Sequence, residues 1–162
     1  MPIDRTLKIT TPSDTEIVMT REFAAPRQLL YDAHTKPELV KRWLLGPDGW
    51  TMPVCEIDLR VGGRYRYVWR KAATGAEMAT GGRYLEVVEP ERLASTEQFE
   101  DPWYEGEAIN TIVLVETESG TILTQTMRLA SKEARDGIVA TGMATGVATS
   151  YDRLERILAE AA

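Results

Sequence analysis

The sequence predicts an α+β domain in which a curved antiparallel sheet of about seven strands wraps a long C-terminal helix, with two short helices after the first strand. Three observations predict it. Between Trp50 and Leu129, short runs of alternating polar and apolar residues follow one another, joined by turn residues with no helical stretch between them. After Ser131 the apolar period changes to steps of three and four. One long helix and two short ones are also too little material to cover so wide a sheet lying flat. The sheet must therefore curl around the long helix, and space is left between them.

Each element has its own signal. Met1–Ser13 is polar, carries Pro2 and Pro12 and shows no period. It reads as an irregular lead-in, with residues 14–162 forming a single domain. Thr15–Phe23 alternates, with Ile17, Met19 and Phe23 on one face. Pro26 is expected at the first position of a helix, where a missing N–H costs nothing, and Pro37 restarts a second one that carries Leu39, Val40 and Trp43. Gly46-Pro47-Asp48-Gly49 ends it with turn chemistry. Strands follow over Met52–Leu59, Arg64–Arg70, Met78–Val88, Arg92–Phe99, Ala108–Thr117 and Thr121–Leu129. The clearest alternation sets Tyr65, Tyr67 and Trp69 against Arg64, Arg66 and Arg70. Gly81-Gly82 suggests a bulge or a close backbone approach. Ser131 is a good N-cap with Glu133 in the first turn. Gly142 predicts a joint before a longer helix, on which Met143, Val147, Tyr151, Leu154 and Leu158 recur. The small residues Gly142, Ala144, Gly146 and Ala148 on that helix leave volume unfilled.

Composition narrows the function. With 162 residues the chain is long enough for one real core. Its 19 basic and 25 acidic side chains give a net charge of −6, which disfavours a nucleic-acid partner. The cluster Arg60, Arg64, Arg66, Arg70 and Lys71 reads as one solvated strand face. No stretch reaches the roughly 18 apolar residues of a membrane span, and the N-terminus has no apolar signal region. A single cysteine cannot form an internal disulfide. A cytoplasmic protein is expected. Phosphate loops, dinucleotide fingerprints and nucleophile elbows are absent, so no cofactor is expected.

Several segments together carry a family resemblance. Thr20-Arg21-Glu22-Phe23-Ala24-Ala25-Pro26-Arg27-Gln28-Leu29-Leu30-Tyr31-Asp32-Ala33 comes first, then Pro37-Glu38-Leu39 with Trp43, and Gly46-Pro47. Asp58-Leu59-Arg60-Val61-Gly62-Gly63 precedes the aromatic strand, and Gly82-Arg83-Tyr84-Leu85-Glu86-Val87 follows with Pro90 and Arg92. Ser131-Lys132-Glu133-Ala134-Arg135-Asp136 then runs into Gly142-Met143. In this order they resemble the branch of the START-like (SRPBCC) superfamily named for the activator of Hsp90 ATPase. The resemblance implies the helix-grip fold, also called START-like or Bet v 1-like, with a hydrophobic cavity between sheet and long helix. It implies no catalytic residue. A chaperone-associated role follows from the family's name only, and relatives elsewhere in the superfamily bind lipids, steroids or plant metabolites.

The residues expected to line such a cavity are Trp43, Trp50, Tyr65, Tyr67, Trp69, Met78, Phe99, Gln125, Met127, Met143, Val147 and Tyr151. Aromatic and methionine walls with few polar groups suit an adaptable apolar ligand; plain core packing is the alternative. Gln125 shares a strand face with Leu123 and Met127, so it either points inward and needs a partner or is turned outward by a bulge. Glu97 shares a face with Phe99. Glu97, Glu56 and Asp58 are either cavity carboxylates with raised pKa or partners of Arg60, Arg64 or Arg66. The loop Glu100–Glu107 offers Trp103 as a lid or, with its carboxylates, a weak cation site; a solvated loop is the alternative. His34, the only histidine, is expected at the end of the first helix for its helix-dipole interaction. Cys55 is expected to be a buried, inert thiol. One histidine and one cysteine do not make an ordinary zinc site. The expected partner is a small hydrophobic molecule. A cyclase or hydrolase using a cavity carboxylate and a tyrosine, a homodimer, and a chaperone partner are the alternatives.

Overall fold

The computed structural model describes residues 3–161, in which eight strands and four helices follow the order β1 (Lys8–Thr10), β2 (Glu16–Phe23), α1 (Arg27–Thr35), α2 (Pro37–Trp43), β3 (Trp50–Ile57), β4 (Arg64–Lys71), β5 (Glu77–Val88), β6 (Arg92–Phe99), β7 (Ala108–Glu116), β8 (Thr121–Arg128), α3 (Lys132–Ala140) and α4 (Met143–Ala161). The eighth strand, β1, lies in the stretch expected to be irregular. It pairs antiparallel with β2, Lys8 opposite Thr20 and Thr10 opposite Val18. Three residues cannot display a period in sequence, and it is the open edge of β2 that makes them a strand. The other strand bounds agree with the alternation to within two residues.

All neighbours are antiparallel in the order β1-β2-β8-β7-β6-β5-β4-β3. The meander from β3 to β8 brings the chain back beside β2. The one long crossover, from β2 to the far edge at β3, carries α1 and α2. Pro26 stands one place before α1, as its N-cap with extended backbone (φ −62°, ψ 148°), rather than as its first residue. A proline's fixed φ suits both positions, so the type of residue alone does not choose between them. Pro37 does open α2. The Ser131 hydroxyl caps α3 by accepting the Ala134 N–H at 3.1 Å.

Gly142 turns the chain between α3 and α4 with φ of +74°, a conformation L side chains rarely adopt. At Gly82, a Cβ would come within 2.0 Å of the Thr96 carbonyl oxygen on β6. The Gly81-Gly82 pair therefore serves close backbone approach; the register shift in β5 falls later, between Tyr84 and Glu86.

The 19 residues of α4 span about 28 Å and cross the sheet. Its C-terminal half buries Tyr151, Leu154, Ile157 and Leu158 in a cluster with Phe23, Leu30, Trp43, Tyr65, Tyr84, Leu93 and Leu123. A second cluster of Ile17, Met19, Met127, Leu129, Ala134 and Ile138 lies under α3 and the first turns of α4. Where these two clusters fail to meet, space remains.

Candidate ligand cavity

That space is a cavity of about 570 Å³, walled by residues of both clusters. The aromatic strand β4 supplies one wall. Period-2 alternation points Tyr65, Tyr67 and Trp69 inward, and their rings follow one another along the strand, first tilted and then edge-on, with centroids 5.1 and 5.9 Å apart. Tyr84 on β5 adds a ring 5.6 Å from Tyr65. On the outer face of the same region, Arg66 forms a two-pronged ion pair with Glu100 and Arg70 one with Glu77. The arginine cluster is thus a solvated face bound to carboxylates.

All twelve residues expected at the cavity line it. Trp43, Trp50, Tyr65, Tyr67, Trp69 and Met78 come from α2 to β5. Phe99, Gln125 and Met127 come from β6 and β8, and Met143, Val147 and Tyr151 from α4. Exposed Pro47, Met78, Thr141 and Gly142 mark its mouth, between the α2–β3 loop and the α3–α4 joint. The rim is pinned. The Gly46 N–H donates to the Ser150 hydroxyl at 2.8 Å, and the Arg153 guanidinium donates to the Gly46 carbonyl at 2.7 Å and pairs with Asp48. The Trp69 indole N–H donates to the Leu44 carbonyl at 2.7 Å. Gly146 does not so much leave space on α4 as admit the loop, since a Cβ there would stand 3.4 Å from Pro47. Ala144 and Ala148, expected to share that role, are not among the lining residues.

One polar row crosses the apolar wall. The Tyr151 hydroxyl donates to Gln125 Oε1 at 3.2 Å, and Gln125 Nε2 donates to Asn110 Oδ1 at 3.3 Å. Asn110 Nδ2 then donates to Glu97 Oε2 at 2.9 Å. Gln125 therefore points inward and has its partners. The row follows from register: Glu97 faces Ala108, and Asn110 faces Met127, so Glu97, Asn110 and Gln125 are diagonal neighbours on adjacent strands. Glu97 is the one carboxylate in the wall, which holds no lysine or arginine. Burial pushes its carboxyl above the usual range, partly offset by the Asn110 hydrogen bond. The expected pairing with Arg60, Arg64 or Arg66 fits Asp58, which binds Arg60 at 2.9 Å outside the cavity. It does not hold for Glu97, because Arg64 and Arg66 stand on the outer face of β4 and Arg60 lies in the turn before it.

His34 stands in the last turn of α1, as expected, and its ring also reaches the wall. Its Nδ1–H donates to the Leu30 carbonyl at 2.7 Å, and its ring meets Trp43 edge-on at 4.9 Å. Burial pushes its pKa down to about 4, so the ring is neutral at pH 7. Asn110, His34, Tyr84, Ser95, Thr141 and Ser150 are the lining residues with polar side chains that sequence reasoning missed. For Asn110 a signal existed, since it alternates with Ala108 and Ile112 on a buried strand face.

Trp103, the lid candidate, is not part of the wall. It is half-exposed and stands edge-on to Tyr104 at 5.0 Å, beside Gly137 of α3. The loop is held by its own aromatic pair and by α3, and it leaves the mouth to other segments. Among the described residues no group of His, Cys, Asp and Glu is placed to hold a metal ion. Burial pushes the Cys55 thiol up to about 11, which keeps it protonated and unreactive. No helix among the described residues is long and apolar enough to cross a membrane.

The family model for activator of Hsp90 ATPase homolog 1-like protein matches residues 24–159. The chain belongs to this family. A crystal structure of a protein from Rhodobacter sphaeroides is 34% identical, with a TM-score of 0.89 over 96% of this chain and 99% of that one. A protein from Nitrosomonas europaea is 28% identical, with a TM-score of 0.82 over 93% and 97%. A protein from Chromobacterium violaceum is 30% identical, with a TM-score of 0.78 over 90% and 98%. Among curated proteins none matches. Family membership accounts for the helix-grip architecture, and the polar row and its carboxylate are features of this chain's own residues.

Proposed function

We propose that this protein binds a small apolar or amphipathic molecule in the cavity between the sheet and α4. One observation carries the reading: about 570 Å³ stays unfilled while rings and thioethers surround it. Protein interiors ordinarily close voids larger than a water molecule, and ligand sites run to roughly 300–1,000 Å³ with mainly apolar walls and a few convergent polar groups. Here the apolar body of a ligand would lie between Tyr65, Tyr67 and Trp69 on one side and Met143, Val147 and Tyr151 on the other. The polar row would orient its head.

Thermal unfolding against a panel of apolar compounds with cationic, neutral and anionic heads tests this. A ligand at about 100 times its Kd adds about 2.7 kcal/mol, or about 5–10 °C for a chain of this size. Val147→Trp, which fills the cavity from α4, should keep the far-UV spectrum and abolish the shift, and Tyr67→Ala should weaken it. If Val147→Trp shifts as the wild type does, the ligand sits elsewhere and the reading fails.

A second reading, cyclase- or hydrolase-type turnover, draws on Glu97 alone: it is a carboxylate facing the cavity with a raised pKa, as a general acid or base requires. Product formation by the wild type and its loss in Glu97→Gln would favour that reading. The chaperone-associated alternative rests on the family's description.

A further inference from the structure

We propose that the head of the bound molecule is a protonated amine, with Glu97 as its counter-ion. This rests on the binding reading above and narrows it to one chemical class. Three features of the wall carry it. The donors of the polar row all run one way, from Tyr151 through Gln125 and Asn110, so the row ends on an acceptor rather than a donor. That acceptor, Glu97, uses Oε2 for Asn110, and among the described residues it has no cationic partner. A buried carboxylate left without one is costly, and an ammonium group supplies both the charge and the N–H donors. Finally, the rings of Tyr65, Tyr67, Tyr84 and Trp69 stand around the same space, and aromatic faces attract cations as well as apolar surface.

The same wall disfavours an anionic head. It holds no lysine or arginine, and its single histidine, His34, is neutral at pH 7. Arg21, a buried cation close to Tyr151, lies over the Phe23 ring and faces Asp152 at 3.5 Å, outside the lining. A carboxylate or phosphate would have to approach Glu97 with nothing to neutralise it, inside a protein whose net charge is −6.

The test compares 6-phenylhexylamine, 6-phenylhexanol and 6-phenylhexanoate, whose apolar bodies are alike, by calorimetric titration at pH 7. The amine should bind about tenfold or more tightly than the alcohol, the difference a charge-assisted hydrogen bond supplies, and the carboxylate should not bind measurably. Glu97→Gln keeps the size and an acceptor for Asn110 but removes the charge. In that variant the amine and the alcohol should bind alike, whereas a merely structural role for Glu97 would weaken both and leave the gap between them open. Amine affinity should also fall as acid protonates Glu97. The groups facing Glu97 are Asn110, Tyr65, Tyr67 and Tyr104, none of which titrates below neutrality, and His34 elsewhere in the wall takes its proton only near pH 4. An alcohol or carboxylate that binds as tightly as the amine, or an amine indifferent to Glu97→Gln, overturns the proposal and leaves the binding reading standing. If all three fail to bind, both fall for ligands of this size.

Discussion

Acidification should unfold this protein in a way that one residue, His34, makes measurable. The half-buried His34 ring lies in the cavity wall, with Nδ1–H committed to the Leu30 carbonyl and one edge against Trp43. Burial holds its pKa at about 4, against 6.5 for the free side chain. The sign follows from proton counting. Between these two values the unfolded chain carries a proton on His34 and the folded chain does not, so stability is lost as pH falls through this window. The loss amounts to about 2 kcal/mol by pH 5 and about 3 kcal/mol at its limit below pH 4. For a domain of this size, 2 kcal/mol corresponds to about 4–8 °C in Tm. Because the chain has a single histidine, its imidazole resonance in a pH titration by NMR is unambiguous and should show no transition near pH 6.5. His34→Asn keeps an N–H donor for Leu30 and removes the titration. Urea melts of the two proteins should therefore diverge, wild type losing about 2 kcal/mol more than the variant between pH 7 and pH 5. A resonance midpoint near 6.5, or parallel pH profiles for the two proteins, would refute the reasoning.

Two further outcomes are expected. Tyr151→Phe removes the hydroxyl that joins α4 to Gln125 and should cost about 0.5–1.5 kcal/mol, read from the urea midpoint; an unchanged midpoint would mean that this bond does not couple helix to sheet. Gly82→Ala drives a Cβ into the β6 backbone at Thr96. It should destabilise by about 3 kcal/mol, lowering Tm by about 6–12 °C, and a Tm within a degree of wild type would contradict the close approach.

Much of the architecture was legible because it is written in local periods. The alternation over Arg64–Lys71 assigns Tyr65, Tyr67 and Trp69 to one face and the arginines to the other whatever the rest of the chain does, since the pleat has a period of two. Ser131 and Gly142 mark helix ends through their own backbone chemistry. The supply argument, one long helix against a wide sheet, likewise needs only the list of elements, and it anticipated unfilled space beside Val147 and Tyr151.

The pairing partners were not legible in the same way. Glu97 shares a face with Phe99 by period alone, but whether it meets an arginine or an asparagine depends on which strand lies beside β6 and in what register. Those are long-range quantities set by loops and by the closing of the sheet. The row from Tyr151 to Glu97 joins positions on one helix and three strands, and no window of sequence contains it. His34 stands in the last turn of α1 as its sequence position implies, but that its ring turns to the cavity wall follows only from the packing of α1 against Trp43. The acidic loop left Trp103 open between a lid, a weak cation site and a solvated position, and contact with Tyr104 and the neighbourhood of α3 hold it aside from the wall. The sequence by itself determined every element but β1 and the inner faces of the strands, and it supplied the reason to expect space beside α4, because those follow from local period and from volume. The tertiary structure alone decided which polar groups meet there, because charge and hydrogen bonding act between residues that only the closed sheet brings together.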